Sequence, residues 1–140
     1  MTDVIKVIGM NAPPGKLSPS EFEVMEALWA AGSELTITGV LELVNASRGV
    51  PLKRATVQVH LRRLEEKGWL THREDGRRFF YLPTASREAA SAGLARDLTE
   101  RVFDGSCAEL VRCLFERDEI SPEEIDRLRA VVDEATNNKP

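Results

Sequence analysis

The sequence predicts a mainly α-helical fold that carries one short β-hairpin, and three observations support this fold class. Apolar residues recur every three or four positions along most of the chain, as in amphipathic helices. Asp75-Gly76 separates two short segments rich in aromatic residues, which is a strong hairpin signal. A Ser-Pro pair followed by glutamate, the pattern of a helix start, occurs at Ser18 and again at Ser121.

The first two helices have clear boundaries. Ser18 is the predicted N-cap of the first helix, Pro19 opens its first turn, and Glu21 completes a capping box. Gly32 ends this helix, because glycine adopts the left-handed conformation that often follows a last helical turn. A second helix follows, and two residues are candidates for its N-cap: Thr36 and Thr38.

The third helix, at roughly residues 53–67, has two contrasting faces. A projection at 100° per residue places Val57, Leu61 and Leu64 in a buried stripe. The opposite face carries short, polar and basic side chains, and His60 lies nearer to the buried edge. A helix of this kind can present side chains to another molecule while its apolar stripe packs against the core.

The hairpin follows this helix at once, with predicted strands at residues 69–73 and 77–82. Two arginines, Arg77 and Arg78, lie just past its predicted tip. Three helices followed by a hairpin is the order of a winged helix-turn-helix domain, in which the third helix reads DNA and the hairpin is the wing. We therefore predict this domain at residues 17–83, after a flexible arm at residues 1–16 that ends in a Pro- and Gly-rich linker.

Three further helices are predicted in residues 84–140, and their apolar stripes have little to pack against in a single chain. Stripes of this kind often bind a second copy, and dimers suit two-fold DNA sites. We therefore predict a C-terminal helical dimerisation domain. Its predicted interface residues are Leu94, Leu98, Leu110, Val111, Leu114, Phe115, Ile125, Leu128 and Val132.

Charge is distributed unevenly along the chain, whose formal net charge is −4. Residues 53–78 hold eight Lys or Arg against four Asp or Glu, whereas residues 104–134 hold ten Asp or Glu against four Arg. A basic middle and an acidic tail suggest one surface that meets phosphates and another that does not. The simpler interpretation is that both are solvated faces.

The recognition helix and the wing supply the predicted DNA contacts. Guanidinium groups bind phosphates or pair bidentately with guanine, and an apolar side chain can contact a thymine methyl group. On the alternative interpretation the arginines only keep the surface soluble, and the outward Val59 is a scattered surface hydrophobe. The predicted contact residues are Lys53, Arg54, Thr56, Gln58, Val59, Arg62, Arg63, Arg77 and Arg78.

No residue pattern indicates catalysis, a metal site or a cofactor. Cys107 and Cys113 are six positions apart, which on one helix aims them in different directions, and zinc-ligand spacings are missing. Cys107 is interpreted as a small core or interface residue. No apolar run is long enough to span a membrane and no signal peptide opens the chain, so we expect a cytoplasmic protein without membrane insertion.

Four motifs occur in order along the chain: LSPSEFEVMEALW in the first helix, ATVQVHLRRLEEKGWL in the recognition helix, GRRFFYLP in the wing and CLFERDEISPEEIDRLRAVVDE in the closing helices. Together they resemble the penicillinase repressor family of bacterial winged-helix regulators. The similarity runs from about Leu17 to Ala135. It implies a homodimeric repressor that binds a palindromic operator in double-stranded DNA and controls β-lactam or other antibiotic resistance genes. The alternative is a winged-helix module that binds proteins and not DNA.

The chain departs from the family pattern at two places. In the best-known members, a membrane sensor with a metalloprotease domain triggers cleavage between an Asn and a Phe. Cys113 and Leu114 stand at those positions here, which puts a protease partner in doubt. A second family threonine on the recognition helix is Val59 in this sequence, so the resemblance implies a different operator sequence.

Overall fold

The computed structural model describes residue 13 and residues 15–138, and in this part of the chain six helices and two strands follow the predicted order. A mainly α fold with a β-hairpin wing is therefore confirmed. The chain divides into two compact units between Ala95 and Arg96, within the fourth helix. The elements are α1 (Pro19–Ala31), α2 (Ile37–Asn45), α3 (Arg54–Glu66), β1 (Leu70–Asp75), β2 (Arg78–Pro83), α4 (Arg87–Val102), α5 (Cys107–Glu116) and α6 (Pro122–Asn137).

The predicted helix caps are present. The Ser18 hydroxyl accepts a hydrogen bond from the Glu21 backbone N–H at 3.1 Å, and the Ser18 N–H donates to the Glu21 carboxylate at 2.8 Å. Gly32 ends α1 with a φ of 67°, which a side chain would strain. Thr36, and not Thr38, caps α2, because its hydroxyl accepts from the Gly39 N–H at 3.2 Å.

The core of the first unit lies where α1, α2 and α3 meet the hairpin. The predicted stripe of α3, Val57, Leu61 and Leu64, is fully buried. Burial of each such side chain contributes roughly 1.5–3 kcal/mol. His60 is half-buried, as expected from its place beside the stripe. This packing turns the opposite face of α3 toward solvent.

The strands and their turn differ from the prediction by one or two positions. Trp69 precedes β1 and is a buried core residue, while β1 continues to Asp75. Asp75 pairs with Arg78, so Gly76 and Arg77 are the two turn residues. The reason is conformational, because Gly76 has a φ of 65° and two-residue hairpins favour glycine at a central position with positive φ. Arg77 therefore lies at the tip of the wing and not past it.

A third segment joins the hairpin, and the sequence did not predict it. Leu35, between α1 and α2, forms an antiparallel bridge with Tyr81 of β2. The Leu35 N–H donates to the Tyr81 carbonyl at 3.0 Å, and the Tyr81 N–H donates to the Leu35 carbonyl at 2.8 Å. A pairing of one residue has no periodicity that a sequence pattern could reveal.

The predicted arm lies mostly outside the described residues, since residues 1–12 and 14 are not among them. Its last residues are bound to the first unit. The Gly15 carbonyl accepts a hydrogen bond from the Trp69 indole N–H at 2.7 Å, and the Lys16 carbonyl accepts from Lys67 Nζ at 2.7 Å. The end of the segment before α1 is thus held near the end of α3.

The second unit contains α5 and α6, capped by Ser106 and Ser121. No residue of either helix is buried within this chain. Cys107 is exposed, so its interpretation as a core residue was wrong, and its interface role stays a prediction. Among the described residues, no helix combines the length and apolar character needed to cross a membrane.

Candidate nucleic-acid interface

The solvent face of α3 and the wing enclose an open groove of about 660 Å³, and the start of α2 forms its third side. The first half of α3 contributes Arg54 and Gln58 to this groove, and the wing contributes Arg77 and Arg78, the two arginines near its tip. The groove is lined by Thr36, Ile37, Thr38, Arg54, Gln58, Arg77, Arg78, Phe79 and Tyr81.

Most cations of the basic middle segment form no ion pair with the residues that the structure describes. Of the eight in residues 53–78, Lys67 binds Glu21 and Arg73 binds Glu34. The other six are exposed, and none forms an ion pair within the described part of the chain. These six are Lys53, Arg54, Arg62, Arg63, Arg77 and Arg78. Positive charge without an internal partner is available to an external anion.

Arg54 is oriented by a neighbouring helix. Its Nη1 donates a hydrogen bond to the Thr38 hydroxyl at 3.1 Å, which connects the start of α3 to the start of α2. Both side chains line the groove. A guanidinium held by a neutral hydroxyl keeps its full charge and most of its donors, so it can still bind a phosphate.

The uncharged predicted contacts lie between the basic residues along α3. Gln58 is exposed, whereas Thr56 and Val59 are half-buried. Their DNA contacts stay predictions.

Contacts between the wing and α3 support the groove from within. His72 Nδ1 lies 2.6 Å from Glu65 Oε1, and the His72 ring stacks on Phe79 with centroids 4.3 Å apart. Burial, and then the nearby Glu65 carboxylate, raise the pKa of Tyr81 above its ordinary value of 10.0. The Tyr81 hydroxyl therefore remains neutral and does not add negative charge to the groove.

Arg73 differs from the other wing arginines, and the sequence did not distinguish it from them. Its guanidinium binds the Glu34 carboxylate through Nε at 2.9 Å and through Nη2. Hydrogen bonds from Arg73 lower the pKa of Glu34, and they raise the pKa of Arg73. The partners are 39 positions apart in sequence, so no local pattern could have revealed the pair.

Of the predicted dimer residues on α5 and α6, Leu114, Phe115 and Val132 are exposed, whereas Leu110, Val111, Ile125 and Leu128 are half-buried. An open groove of about 440 Å³ lies between α5 and α6, and its apolar lining is Val111, Phe115, Ile125, Leu128 and Val132. On α4, Leu98 is exposed, whereas Leu94 packs partly against the core of the first unit. No His, Cys, Asp and Glu cluster of three or more is arranged for a metal ion among the described residues.

Comparison with known proteins places the chain in a family. The model of the penicillinase repressor family matches residues 17–134. The chain belongs to the penicillinase repressor family. The resemblance seen in the sequence is thereby confirmed, and the family is one of transcriptional repressors and not of enzymes.

Relatives of this penicillinase repressor family member match nearly end to end. The penicillinase repressor of Bacillus licheniformis is 32% identical over 124 residues, covering 89% of this chain and 94% of the relative. The methicillin resistance regulatory protein MecI of Staphylococcus aureus strain N315 is 22% identical, covering 84% and 93%. The solution structure of monomeric B. licheniformis BlaI with the blaP half-operator matches at 30% identity and a TM-score of 0.46, covering 57% and 93%.

Proposed function

We propose that this protein is a homodimeric transcriptional repressor that binds a palindromic DNA operator. The observation that carries the proposal is the set of six exposed cations, at the start of and along the recognition helix and on the wing, that form no ion pair with any described residue. Membership of the chain in a family of transcriptional repressors supports the same function. The solution structure of B. licheniformis BlaI contains a half-operator, which is the kind of ligand proposed here.

In the proposed complex α3 enters the major groove and the wing follows the flanking backbone or minor groove. Thr56, Gln58 and Val59 meet base edges, while Arg62 and Arg63 bind bases or phosphates. Arg77 is one of the two turn residues at the wing tip. Lys53 and Arg54 bind the backbone at the start of α3, where Arg54 is already held by Thr38.

A second copy of the chain covers the apolar face of α5 and α6 in this proposal. Phe115 and Val132 are 44% and 60% exposed, and the free energy gained on burial is roughly 25 cal/mol for each Å² of apolar surface. A two-fold dimer uses the same face on both copies and presents two recognition helices to a palindromic site. Dimerisation therefore doubles the phosphate contacts and the salt dependence.

Repression follows from occupancy of a promoter in the cytoplasm and needs no cofactor. The names of the relatives support genes for β-lactam or other antibiotic resistance as targets. A sensor protease that cuts an Asn-Phe bond would find Cys113-Leu114 in α5, where both side chains are exposed. We expect such a protease to leave this bond intact, since the side chains differ and the bond lies within a helix.

The test is the affinity of the full chain for duplexes selected from a random pool and for random duplex DNA. We expect retention on heparin, tight binding to selected palindromes, and affinity that falls steeply as salt rises. A winged-helix module that binds only proteins would show neither heparin retention nor a salt-dependent shift. That result would overturn the proposed function.

A further inference from the structure

One wing arginine is bound within the protein instead of facing the groove. Arg73, in β1, binds both oxygens of Glu34 through Nε, at 2.9 and 3.1 Å. Its guanidinium carbon lies 4.4 Å from the centre of the Phe80 ring, and Phe80 is its partner on β2. The guanidinium is thus held by a carboxylate and by an aromatic face, which together fix its position.

The residue next to Glu34 holds the other strand of the wing. Leu35 exchanges two backbone hydrogen bonds with Tyr81 of β2, while Glu34 binds Arg73 of β1. Two consecutive residues of the α1–α2 connection therefore hold both strands of the hairpin. The backbone bonds hold the wing at Tyr81, in the third of its six residue pairs from the base. The ion pair lies one pair nearer to the tip, because Arg73 follows His72, the residue that pairs with Tyr81.

The same ion pair leaves Arg73 little capacity for DNA. Glu34 neutralises the charge of Arg73 and occupies its Nε and Nη2. A second carboxylate oxygen, Asp75 Oδ2, lies 3.8 Å from Nη1. Arg77 and Arg78 have no such partners in the described chain. A phosphate would have to displace Glu34 to bind Arg73, whereas it would meet the other two arginines unpaired.

We propose that Glu34 and Arg73 are positioning residues, which hold the wing at the angle that DNA binding requires and make no DNA contact themselves. This inference rests on the proposed function. A wing fixed in advance loses less conformational entropy when it binds. Replacement of either partner breaks the ion pair and therefore weakens DNA binding. This holds even when the replaced residue is the acidic Glu34.

The experiment compares Arg73→Gln, Glu34→Gln and a double variant, the exchanged pair, that carries Glu34→Arg and Arg73→Glu together. Arg77→Gln is the matched variant at a proposed direct DNA contact. Affinity for a duplex selected by the wild type is measured over a range of salt. We expect both single variants at Glu34 and Arg73 to bind about tenfold more weakly with an unchanged salt slope, and the exchanged pair to recover most of the affinity. Arg77→Gln should lower the slope by about 0.9 for each phosphate that the side chain no longer neutralises.

Changes of affinity in the opposite direction would identify a direct contact between Arg73 and DNA. If Arg73 binds phosphate, Glu34→Gln tightens binding because it frees the arginine, Arg73→Gln lowers the salt slope, and the exchanged pair fails to recover. Any of these results would overturn the inference while wild-type binding upholds the proposed function. A wild type that binds no DNA would overturn both.

A measurement without DNA separates positioning from loss of fold. Amide hydrogen exchange in the free protein should become faster at the hairpin in both single variants and return toward the wild-type rate in the exchanged pair. Amides of α1 and α3 should keep their protection. Unchanged exchange at the hairpin in both single variants would contradict the positioning role.

Discussion

Glu21 and Lys67 form an ion pair of 2.7 Å that joins the first turn of α1 to the residue after α3. The Glu21 side chain is 3% exposed and also accepts the Ser18 N–H. Burial alone would raise the pKa of Glu21, but hydrogen bonds from Lys67 and Ser18 outweigh it and lower the pKa below its ordinary value of 4.5. The same lysine binds the Lys16 carbonyl, so one ammonium group connects three segments.

This pair predicts an acid-dependent loss of stability. A carboxyl group with a lowered pKa in the folded state stabilises the fold above its unfolded pKa, and this contribution is lost as the pH falls through the folded pKa. We expect the free energy of unfolding to decrease below about pH 4.5, and to decrease less steeply in Glu21→Gln. Urea unfolding at several pH values measures this, with the exposed Glu42→Gln as control. Equal pH slopes in wild type and Glu21→Gln would contradict the role of this carboxylate.

Replacement of Arg62 and Arg63 by alanine tests the recognition helix. Both side chains are exposed without ion pairs in the described chain, so their removal should leave the fold intact. We expect affinity for the selected duplex to fall by about 100-fold, since each good contact contributes roughly 1–3 kcal/mol. The control removes Arg117 and Arg127 from the second unit, with the same change in net charge. Unchanged affinity in the α3 variant would exclude α3 as the reading helix.

The tip of the wing yields a prediction about salt. Arg77 is a turn residue, so its removal disturbs no strand pairing. We expect Arg77→Ala to weaken binding of all sequences to a similar extent and to reduce the slope of log affinity against log salt by about 1. Titrations with selected and random duplexes measure both effects. Weaker binding of the selected duplex alone would show instead that Arg77 reads bases.

Val59 is the predicted determinant of operator sequence. As a half-buried apolar residue on the outward side of α3, it is suited to a thymine methyl group. We expect Val59→Thr to shift the preferred base at one position of each half-site, by about 1–3 kcal/mol, and to leave the salt slope unchanged. Val59→Ala is the control, because it removes the methyl groups without adding a hydroxyl. Identical selected sequences for all three proteins would rule out base reading by Val59.

Removal of the second unit should separate folding from dimerisation. The compact N-terminal unit ends at Ala95, and Leu94 packs against its core, so the chain is best ended after Ala95. We expect a folded monomer with cooperative thermal unfolding and much weaker DNA binding, because one half-site replaces two. Analytical ultracentrifugation measures the mass. A truncated protein that sediments as a dimer would place the interface in the first unit.

Local sequence patterns determined the elements and the first-unit core. Ser18, Pro19 and Glu21 specified the start of α1 because cap bonds connect residues only three apart. The spacing of Val57, Leu61 and Leu64 specified the buried face of α3, and therefore also the face left to solvent. The hairpin was recognisable from Asp75-Gly76, although its turn lies one residue further on.

The tertiary structure decided which charges are free. The sequence presents Lys67 and Arg73 as two more cations of a basic segment, yet each is bound to an acid 46 or 39 positions earlier. Periodicity reports which face of one element is buried, but it carries no information on which side chain of another element lies opposite. In the folded chain, six of the eight cations form no ion pair with the described residues and can bind an external anion. Only the packed structure shows that Glu34 and Leu35 hold the wing that carries two of these six.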